Sequence, residues 1–395
     1  MSSDELLARF KPQLRYDSQE AFFADSAEQM TSNPGNELKR KDGTVLQVAG
    51  GGLSLSSLGL TYSDGSDALD SDVLSVQGKN YRDQYTRLRE ARPELSNRIY
   101  GHAVTGSDGR EWLQYWLFYF YNDYHLAADF GLHEGDWEMV EVRLQDDGTP
   151  DLAVYAQHAY AEMRTWDEVE KTDDGRPVVY PARGSHASYF EPGLYETVGW
   201  YDIADGKRDT PELGLEILAD DAPPWVVWPG YWGDTRKVKP LDEDSPQGPG
   251  PHDQWLDPAG LIEAAIVRPH KRPAEPPELT FDIRHGRLWL LLDFTRRTGP
   301  PPIKLVVNIN SPDEPGVPPK TFTFDVQDAP REVDTNFDVS PKKRYEVYTS
   351  LTVLVDDKDQ PTASRLLIIA PGVVSAMPEW LKRFLWWLRG LFSRR

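Results

Sequence analysis

A histidine and two carboxylates at alternate positions, Asp136 and Glu138, stand close together in the segment HEGDWE at residues 133–138, which runs directly into the strand-like sequence MVEVRL. Side chains alternate along a β-strand, so Asp136 and Glu138 fall on the same face as the valines that follow them. Burying anions is costly unless a cation or dense hydrogen bonding compensates them. The pattern therefore indicates a divalent metal held by His133, Asp136 and Glu138, and the alternative interpretation is an exposed acidic strand end.

The ligand types leave the metal ion open. Oxygen-rich sets favour magnesium, calcium or manganese, and an added imidazole also allows zinc. Other catalytic patterns are missing from the sequence. Trp137 occupies the position where a zincin would carry its second histidine, and neither a Gly-x-Ser-x-Gly elbow nor a phosphate-binding loop is present. The acidic loop at residues 64–72 departs from the calcium-loop order, so we interpret it as a solvated turn.

Two more segments bring polar side chains to strand ends. His158 continues the apolar face of the run that starts at Leu152, which predicts an inward histidine that is either a hydrogen-bonded core residue or a ligand. The run 176–181 leads into a turn of small residues that presents Ser185 and His186. Neighbours on an extended segment point to opposite sides, so these two do not form a nucleophile and base pair.

The composition favours a loop-rich, all-β protein. The 395 residues include 39% hydrophobic residues, 13 tryptophans and 32 prolines, enough to fill the cores of two domains. A net charge of -21 argues against nucleic-acid binding. Cysteine is absent, which excludes disulfides and thiolate chemistry. The sequence shows neither a membrane-spanning segment nor a secretory signal, so we expect a cytoplasmic protein.

The sequence predicts three regions. Residues 1–270 form a large β-sandwich with long loops, and a proline cluster at 268–277 marks its end. Residues 277–371 contain evenly spaced β runs (LTFDIR, RLWLLLDF, IKLVVNIN, KTFTFDV, RYEVYTSLTVLVDD and SRLLIIA), the spacing of an immunoglobulin- or fibronectin-like sandwich. Nothing in this second region has a catalytic pattern, so we expect an interaction or spacer module.

The third region, 377–395, is predicted to be a basic amphipathic helix. At about 24 Å it is too short to cross the ~30 Å hydrocarbon core, so the favoured interpretation is a helix lying in a membrane interface. Docking on the chain's own sandwich and binding to a groove of a partner protein are the alternatives. The side chains predicted to enter the membrane are Trp380, Leu381, Phe384, Leu385, Trp387, Leu388 and Phe392.

Residues 9 to about 260 resemble the vacuolar protein sorting-associated protein 62 family. The similar motifs, in order, are PQLRYDSQEAFFADS, WLFYFYND, HEGDWEMVEV, YAQHAYAEMRTW, RPVVYPARGSHASYF, WGDT and SPQGPGPHDQWLDP. That family is linked by name to vacuolar trafficking, and its molecular activity is poorly defined. The resemblance therefore implies a fold more than a reaction.

The central region is also distantly similar to the necrosis- and ethylene-inducing peptide-like toxins. These β-sandwich proteins hold a divalent cation with a Gly-His-Arg-His-Asp-Trp-Glu motif and recognise sphingolipid head groups. The motif's first histidine, aspartate and glutamate match His133, Asp136 and Glu138, while its second histidine is replaced by Gly135. The resemblance adds Asp123 as a fourth metal ligand. His158 and His186 are similar in order to two later histidines near the toxins' cleft, but the toxins' secretion signal and disulfide cysteines are missing.

These observations lead to one main hypothesis and two alternatives. The main hypothesis is a peripheral membrane protein that binds a lipid head group or glycan through a divalent cation, with ligand contacts from His158, Arg183, Ser185 and His186. The first alternative is a metal-dependent hydrolase in which a histidine or Glu134 moves protons. The second is a structural metal in a protein-interaction module, whose protein partner would bind through residues 277–371 or the C-terminal helix. Whether the protein is an enzyme stays open.

Overall fold

The computed structural model of the chain describes most of the first 266 residues and, beyond them, mainly strands. The described residues are 1–62, 64–78, 80–123, 132–158, 160–196, 201–219, 222–234, 245–266, 278–284, 286–293, 302–310, 320–325, 331–340, 343, 345–355 and 358–369. The predicted C-terminal helix and all of its membrane-facing residues lie outside this set. Within the described residues, the structure is mostly β-strand with few helices, as the composition predicted.

The secondary structure of the described residues is as follows. The helices are α1 (Ser3–Arg9), α2 (Glu28–Ser32), α3 (Tyr81–Ala91) and α4 (Gly260–Ala264). The strands in the first half are β1 (Gln13–Tyr16), β2 (Glu37–Lys39), β3 (Val45–Val48), β4 (Val73–Ser75), β5 (Arg98–Thr105), β6 (Glu111–Asn122), β7 (His133–Leu144), β8 (Pro150–Gln157), β9 (Tyr160–Thr165), β10 (Val178–Pro181) and β11 (Ser188–Tyr189). The remaining strands are β12 (Gly193–Glu196), β13 (Tyr201–Ala204), β14 (Arg208–Asp209), β15 (Gly214–Leu218), β16 (Ala265–Ile266), β17 (Glu278–Arg284), β18 (Arg287–Asp293), β19 (Pro302–Asn310), β20 (Lys320–Asp325), β21 (Arg331–Asp338), β22 (Tyr345–Val355) and β23 (Lys358–Ile369).

The chain divides into two compact units. The first comprises residues 1–125, 130–191 and 206–268, and the second comprises residues 126–129, 192–205 and 269–395. The segment 192–205, which carries β12 and β13, thus belongs to the second unit although it precedes residue 270 in the sequence. The predicted domain boundaries and the description of each domain as a sandwich stay predictions.

The first unit is built on a seven-stranded sheet in the order β15-β5-β6-β7-β8-β9-β16. Antiparallel pairing joins the five strands from β5 to β9, while the edge strands β15 and β16 pair in parallel with their neighbours. The two 12-residue strands β6 and β7 lie in the middle. Central strands buried on both sides are nearly continuous in apolar and aromatic residues, as the WLQYWLFYFYN run of β6 is.

Each face of this sheet carries its own hydrophobic core. Trp116, Phe118 and Trp137 belong to one cluster of buried residues, which we call the tryptophan face. Tyr119 and Val140 belong to the other cluster, which we call the valine face. The prediction that the valines of β7 line a buried face is confirmed, and the opposite face is buried as well.

A second sheet of the first unit, in the order β11-β10-β1-β14, brings distant segments together. Strand β1 pairs in parallel with β10, with Gln13 opposite Val178 and Leu14 opposite Val179. The two strands run in the same direction, so the residues after β1 and the loop after β10 lie at the same end of the sheet. A third sheet has the order β3-β2-β4.

The second unit contains two larger antiparallel sheets and the pair β12-β13. Their orders are β17-β18-β21 and β20-β19-β22-β23. Six of these strands coincide with the six predicted runs, whereas β21 was not predicted because its sequence, REVDTNFD, is mostly polar. In the described residues of the whole chain, no helix is long and apolar enough to cross a membrane.

Candidate functional site

Three of the predicted metal ligands lie at one end of the central strand pair. His133 begins β7 and pairs with Asn122, the last residue of β6, and Asp136 pairs with Tyr119. His133, Asp136 and Glu138 are at most 9% exposed. The fourth predicted ligand, Asp123, follows β6 directly. The antiparallel pairing therefore gathers the four residues at this strand end, which we call the acidic end of β7.

Gly135 changes the direction of the side chains around it. Its φ angle is +56°, in the left-handed region that glycine adopts without strain. As a result Glu134 contacts residues on the tryptophan face, while Asp136 points to the valine face. A Cβ atom at Gly135 would lie 2.2 Å from the backbone oxygen of Trp232. The position that holds a histidine in the toxin motif therefore has no room for a side chain in this chain.

His133 uses both of its ring nitrogens. Its Nδ1 lies 2.7 Å from the Gly135 carbonyl oxygen, which can only accept, so Nδ1 carries the proton. Its Nε2 then accepts a hydrogen bond from the Asn122 side-chain amide at 2.9 Å. A backbone carbonyl that fixes Nδ1–H and leaves the lone pair on Nε2 is the arrangement found in metal-binding histidines. In this protein the Asn122 side-chain amide donates a hydrogen bond to that lone pair.

Asp136 is bound to the protein through one of its two oxygens. His186 Nδ1 donates to Asp136 Oδ2 at 2.8 Å, and Asp136 Oδ1 has no hydrogen-bond partner among the described residues. His186 is fully buried, has a φ of +56° and stacks flat on Tyr119 with ring centroids 3.8 Å apart. Asp136 therefore offers one oxygen whose position is set by the imidazole behind it.

A further carboxylate, Glu20, lies on the other side of His186. Glu20 Oε1 is 3.7 Å from His186 Nε2, an ion-pair distance that is too long for a hydrogen bond. In the described part of the chain, Nε2 has no hydrogen-bond partner. Glu20 was not predicted, because a single glutamate before AFF in a loop carries no periodic or motif signal. The β1-β10 pairing brings it here.

His186 and the two carboxylates beside it, Glu20 and Asp136, interact electrostatically. Burial alone would lower the pKa of His186, but the negative charge of Glu20 and the hydrogen bond to Asp136 outweigh it and raise the pKa to about 9. Burial would raise the pKa of Glu20, but the charge of His186 and the amides of Phe22 and Gly184 outweigh it, and this pKa is lowered. We call Glu20, His186 and Asp136 the triad. At neutral pH its central residue, His186, is therefore an imidazolium.

The other predicted site residues occupy different positions. Asp123 Oδ2 accepts a hydrogen bond from Arg82 Nη2 at 2.6 Å. Arg183 is half-buried and donates to Gln19 Oε1 at 2.9 Å, and Ser185 is buried. His158 lies outside β8, has a φ of +55° and is exposed, so the expected inward orientation is wrong. The left-handed turn at His158 ends the alternation on which that expectation was based.

Glu134, the proton carrier of the hydrolase alternative, has only structural contacts. Its Oε2 accepts from the backbone amides of Val76 at 2.9 Å and Asp234 at 3.1 Å, and its Oε1 accepts from the Tyr81 hydroxyl at 2.9 Å. Burial raises the pKa of Glu134. Both oxygens accept hydrogen bonds, so this carboxylate connects two loops and helix α3 to the start of β7.

The donor chemistry of the acidic end fits a divalent cation, although the ligands do not converge. Asp136 Oδ1 has no described partner, and the Nε2 lone pair of His133 is set by the backbone. No group of three or more histidine, aspartate or glutamate side chains in the described residues is arranged to hold a metal ion. Instead, Asn122 donates a hydrogen bond to His133, and Arg82 donates one to Asp123. The metal and its four ligands therefore stay predictions.

Another buried carboxylate of β7, Glu141, lies on the tryptophan face. Glu141 pairs across the strands with Gln114, which pairs with His102, so three polar residues cross the sheet in one row. Gln114 Nε2 donates to Glu141 Oε1 at 3.0 Å, and Gln114 Oε1 lies 2.9 Å from His102 Nδ1. The Trp255 ring covers this row and stacks on His102 at 3.8 Å. Glu141 is fully buried, and burial raises its pKa well above the ordinary value.

No protein-family model matches this chain. The chain is 26% identical over 179 residues to TDA6 of Saccharomyces cerevisiae, a protein provisionally named as vacuolar protein sorting-associated. This match covers 32% of the present chain and 36% of TDA6, so the chain spans about a third of that relative's length. Membership of the vacuolar protein sorting-associated protein 62 family therefore stays a prediction.

The chain is also similar to solved structures of NLPPya. The complex of NLPPya with glucosamine has a TM-score of 0.32 and 11% identity, and the match covers 67% of this chain and 91% of that one. The complex with mannosamine has a TM-score of 0.30 and 10% identity over the same shares. A structure described as a toxin fold for microbial attack and plant defense has a TM-score of 0.31 and 10% identity, with equal coverage.

Proposed function

We propose that the first unit binds the polar head group of a lipid or a glycan through a divalent cation at the acidic end of β7. The observation that carries the proposal is the negative charge buried there. Glu20 and Asp136 are both buried and lie on either side of His186, and the single His186 imidazolium can neutralise only one of these two carboxylates. Buried anions without a counter-charge are strongly unfavourable, so a cation that joins this end of the strand would complete the charge balance.

Four residues would hold the cation. Asp136 would use Oδ1, and His133 would use the Nε2 lone pair after the Asn122 amide turns away. Glu138 follows Asp136 on the same face of the strand, and Asp123 would exchange its contact with Arg82 for the cation. When bound, the cation supplies positive charge to which phosphate, carboxylate or hydroxyl oxygens of a ligand can bind. Magnesium, calcium or manganese suits this oxygen-rich set, and the imidazole also allows zinc.

The loop after β10 supports a ligand contact beside the cation. Arg183 is half-buried, donates a hydrogen bond to Gln19 and precedes His186 by three residues in the chain. A guanidinium suits paired oxygen acceptors on a head group. As placed, His186 is fully buried and would act on a ligand through Asp136. The exposed His158 and the buried Ser185 stay in the proposal as contacts expected from the sequence.

Cation binding is tested by titrating the full chain with Mn²⁺, Ca²⁺, Mg²⁺ and Zn²⁺ in a calorimeter. We expect wild type to bind one ion and Asp136→Asn to lose binding, because that change removes the oxygen anion. Glu141→Gln is the matched control, since it makes the same change from carboxyl to amide at a buried position of the same strand that lies on the opposite face. Wild-type stoichiometry and affinity in Asp136→Asn would reject the site.

The membrane part of the proposal depends on the tail. Flotation of the full chain with vesicles of phosphatidylcholine and phosphatidylserine should fail when residues 377–395 are deleted. Equal flotation of both forms would exclude the tail as the anchor. Binding of soluble glycans by the tail-deleted form, followed with and without chelator, measures the head-group site separately.

The hydrolase alternative has less support in the geometry. A protonated, fully buried His186 cannot accept a proton at neutral pH, and Glu134 is used by backbone amides and a tyrosine. Chelator-sensitive turnover of generic phosphoester or ester substrates would favour it nevertheless. In the structural-metal alternative, chelation should lower the melting temperature and leave partner binding intact below it.

A further inference from the structure

We infer that Glu20 is a positioning residue of the proposed cation site, acting on Asp136 through His186 and on Arg183 through the loop between them. The inference rests on the proposed function for its ligand, and on the described contacts for its geometry. Glu20 lies in the segment after β1, far from β7 in the sequence. It is nevertheless the only carboxylate besides Asp136 that forms an ion pair with His186 among the described residues.

Backbone amides hold the Glu20 carboxylate in place. Oε1 accepts hydrogen bonds from Ala21 N at 2.7 Å and Phe22 N at 2.8 Å. Oε2 accepts from Gly184 N at 2.8 Å, so one side chain joins its own segment to the loop after β10. Hydrogen bonds between a carboxylate and backbone amides are charge-assisted and short, and the side chain is buried. Glu20 is therefore a fixed negative charge rather than a mobile one.

That fixed charge sets the orientation of His186. The ring is stacked on Tyr119, and its two nitrogens face carboxylates on opposite sides, with Asp136 Oδ2 at 2.8 Å and Glu20 Oε1 at 3.7 Å. Stacking fixes the plane of the ring, and the two carboxylates fix its rotation in that plane. Because His186 occupies only Oδ2 of Asp136, Oδ1 is left for the cation. Partners behind a metal ligand of this kind commonly change metal affinity by about 10- to 100-fold when they are removed.

The residue before Glu20 holds the other side of the same loop. Gln19 Oε1 accepts a hydrogen bond from Arg183 Nη1 at 2.9 Å. Gln19 and Glu20 thus contact Arg183, Gly184 and His186, which are nearly consecutive in the chain. Two neighbouring side chains from one segment therefore determine where the loop presents its arginine and its histidine.

The experiment compares Glu20→Gln with Asp25→Asn in the full-length chain. Glu20→Gln keeps the size of the side chain and an acceptor oxygen but removes the charge that faces His186. Asp25→Asn is the matched control, because Asp25 is a fully buried carboxylate that also accepts from a backbone amide, that of Asn97. The readouts are the affinity for Mn²⁺, the melting temperature, and the ring N–H signal of His186 in ¹⁵N-resolved NMR, assigned from its absence in His186→Gln.

We expect Glu20→Gln to bind Mn²⁺ about 10- to 100-fold more weakly and to shift the His186 ring signal, while Asp25→Asn changes neither. Equal weakening in both variants would reduce Glu20 to a structural role and overturn the inference, as would wild-type affinity in Glu20→Gln. If wild type binds none of the four cations, the proposed function fails by itself. The ring signal then tests the part of the inference that does not need the cation, namely that Glu20 orients His186: an unshifted His186 signal in Glu20→Gln refutes it, and a shift confined to that variant supports it.

Discussion

Two of the buried carboxylates of strand β7, Asp136 and Glu141, have different surroundings. Asp136, on the valine face, faces a histidine that a second carboxylate keeps protonated. Glu141, on the tryptophan face, accepts a hydrogen bond from the Gln114 amide, and its pKa is raised well above the ordinary value by burial. Burial thus favours the uncharged form of Glu141, whereas the Asp136 region places a histidine between two carboxylates inside the protein.

Burial by itself therefore does not identify a carboxylate as part of a candidate binding site. An uncharged acid paired with an amide can fill a core at modest cost. A buried imidazolium between two carboxylates is more expensive to maintain, and truncation of one partner leaves the others uncompensated. The Asp136 region is therefore the part of β7 where the charge balance is most sensitive to a change of one residue.

The largest effect is expected from His186→Gln, which removes the cation of the triad. Glu20 and Asp136 then become buried anions without a counter-charge, so we expect the free energy of unfolding to fall by about 3–5 kcal/mol. Urea denaturation at pH 7 measures it. A loss below about 1 kcal/mol would mean that the two carboxylates are already neutral or solvated, and the contrast with Glu141 would disappear.

An intermediate effect is expected from pH. The folded-state pKa of His186 is raised from 6.5 to about 9, so the folded protein holds an extra proton between these values. This contribution is complete below the unfolded pKa and is lost as pH rises through the folded one. The difference in unfolding free energy between wild type and His186→Gln should therefore shrink by about 1–3 kcal/mol from pH 7 to pH 10. A constant difference would place the histidine outside the charge balance.

The smallest effect is expected from Glu141→Leu. A raised folded-state pKa means that the folded protein disfavours the ionised form at pH 7, and Glu141 Oε2 has no hydrogen-bond partner in the described residues. Removing the acid should leave stability unchanged or raise it by up to about 2 kcal/mol, since Gln114 keeps the Gln254 carbonyl as an acceptor. Urea denaturation of the variant and of wild type measures this change. A loss of more than about 2 kcal/mol in the free energy of unfolding would mean that Glu141 contributes to stability like the charged Asp136 region.

Much of the β architecture could be predicted from the sequence. The runs at 112–121, 137–144 and 152–158 correspond to β6, β7 and β8, because aromatic and β-branched residues strongly favour buried strands. Six runs in the second unit are strands as well. The polar strand β21 and the helix α3 escaped prediction, since neither has a clear apolar period.

The candidate site was only partly predictable. Asp136 and His186 were both singled out from local pattern, yet their direct hydrogen bond joins residues 50 positions apart in the chain. Glu20 had no local signal, and the turn at His158 was not visible in a run of alternating residues. The sequence also did not reveal that Trp232 lies against Gly135 and excludes a side chain there.

Composition and side-chain alternation were enough to predict a chain rich in strands and a strand that directs Asp136 and Glu138 toward the valines. Both properties are local. Which charged side chains meet depends on the tertiary fold. The parallel pairing of β1 with β10 brings Glu20 to His186, and the register of β6 with β7 sets Tyr119 beneath the same ring. Charge pairing in a buried site depends on distances of a few ångströms between segments far apart in the chain, and no local pattern encodes them.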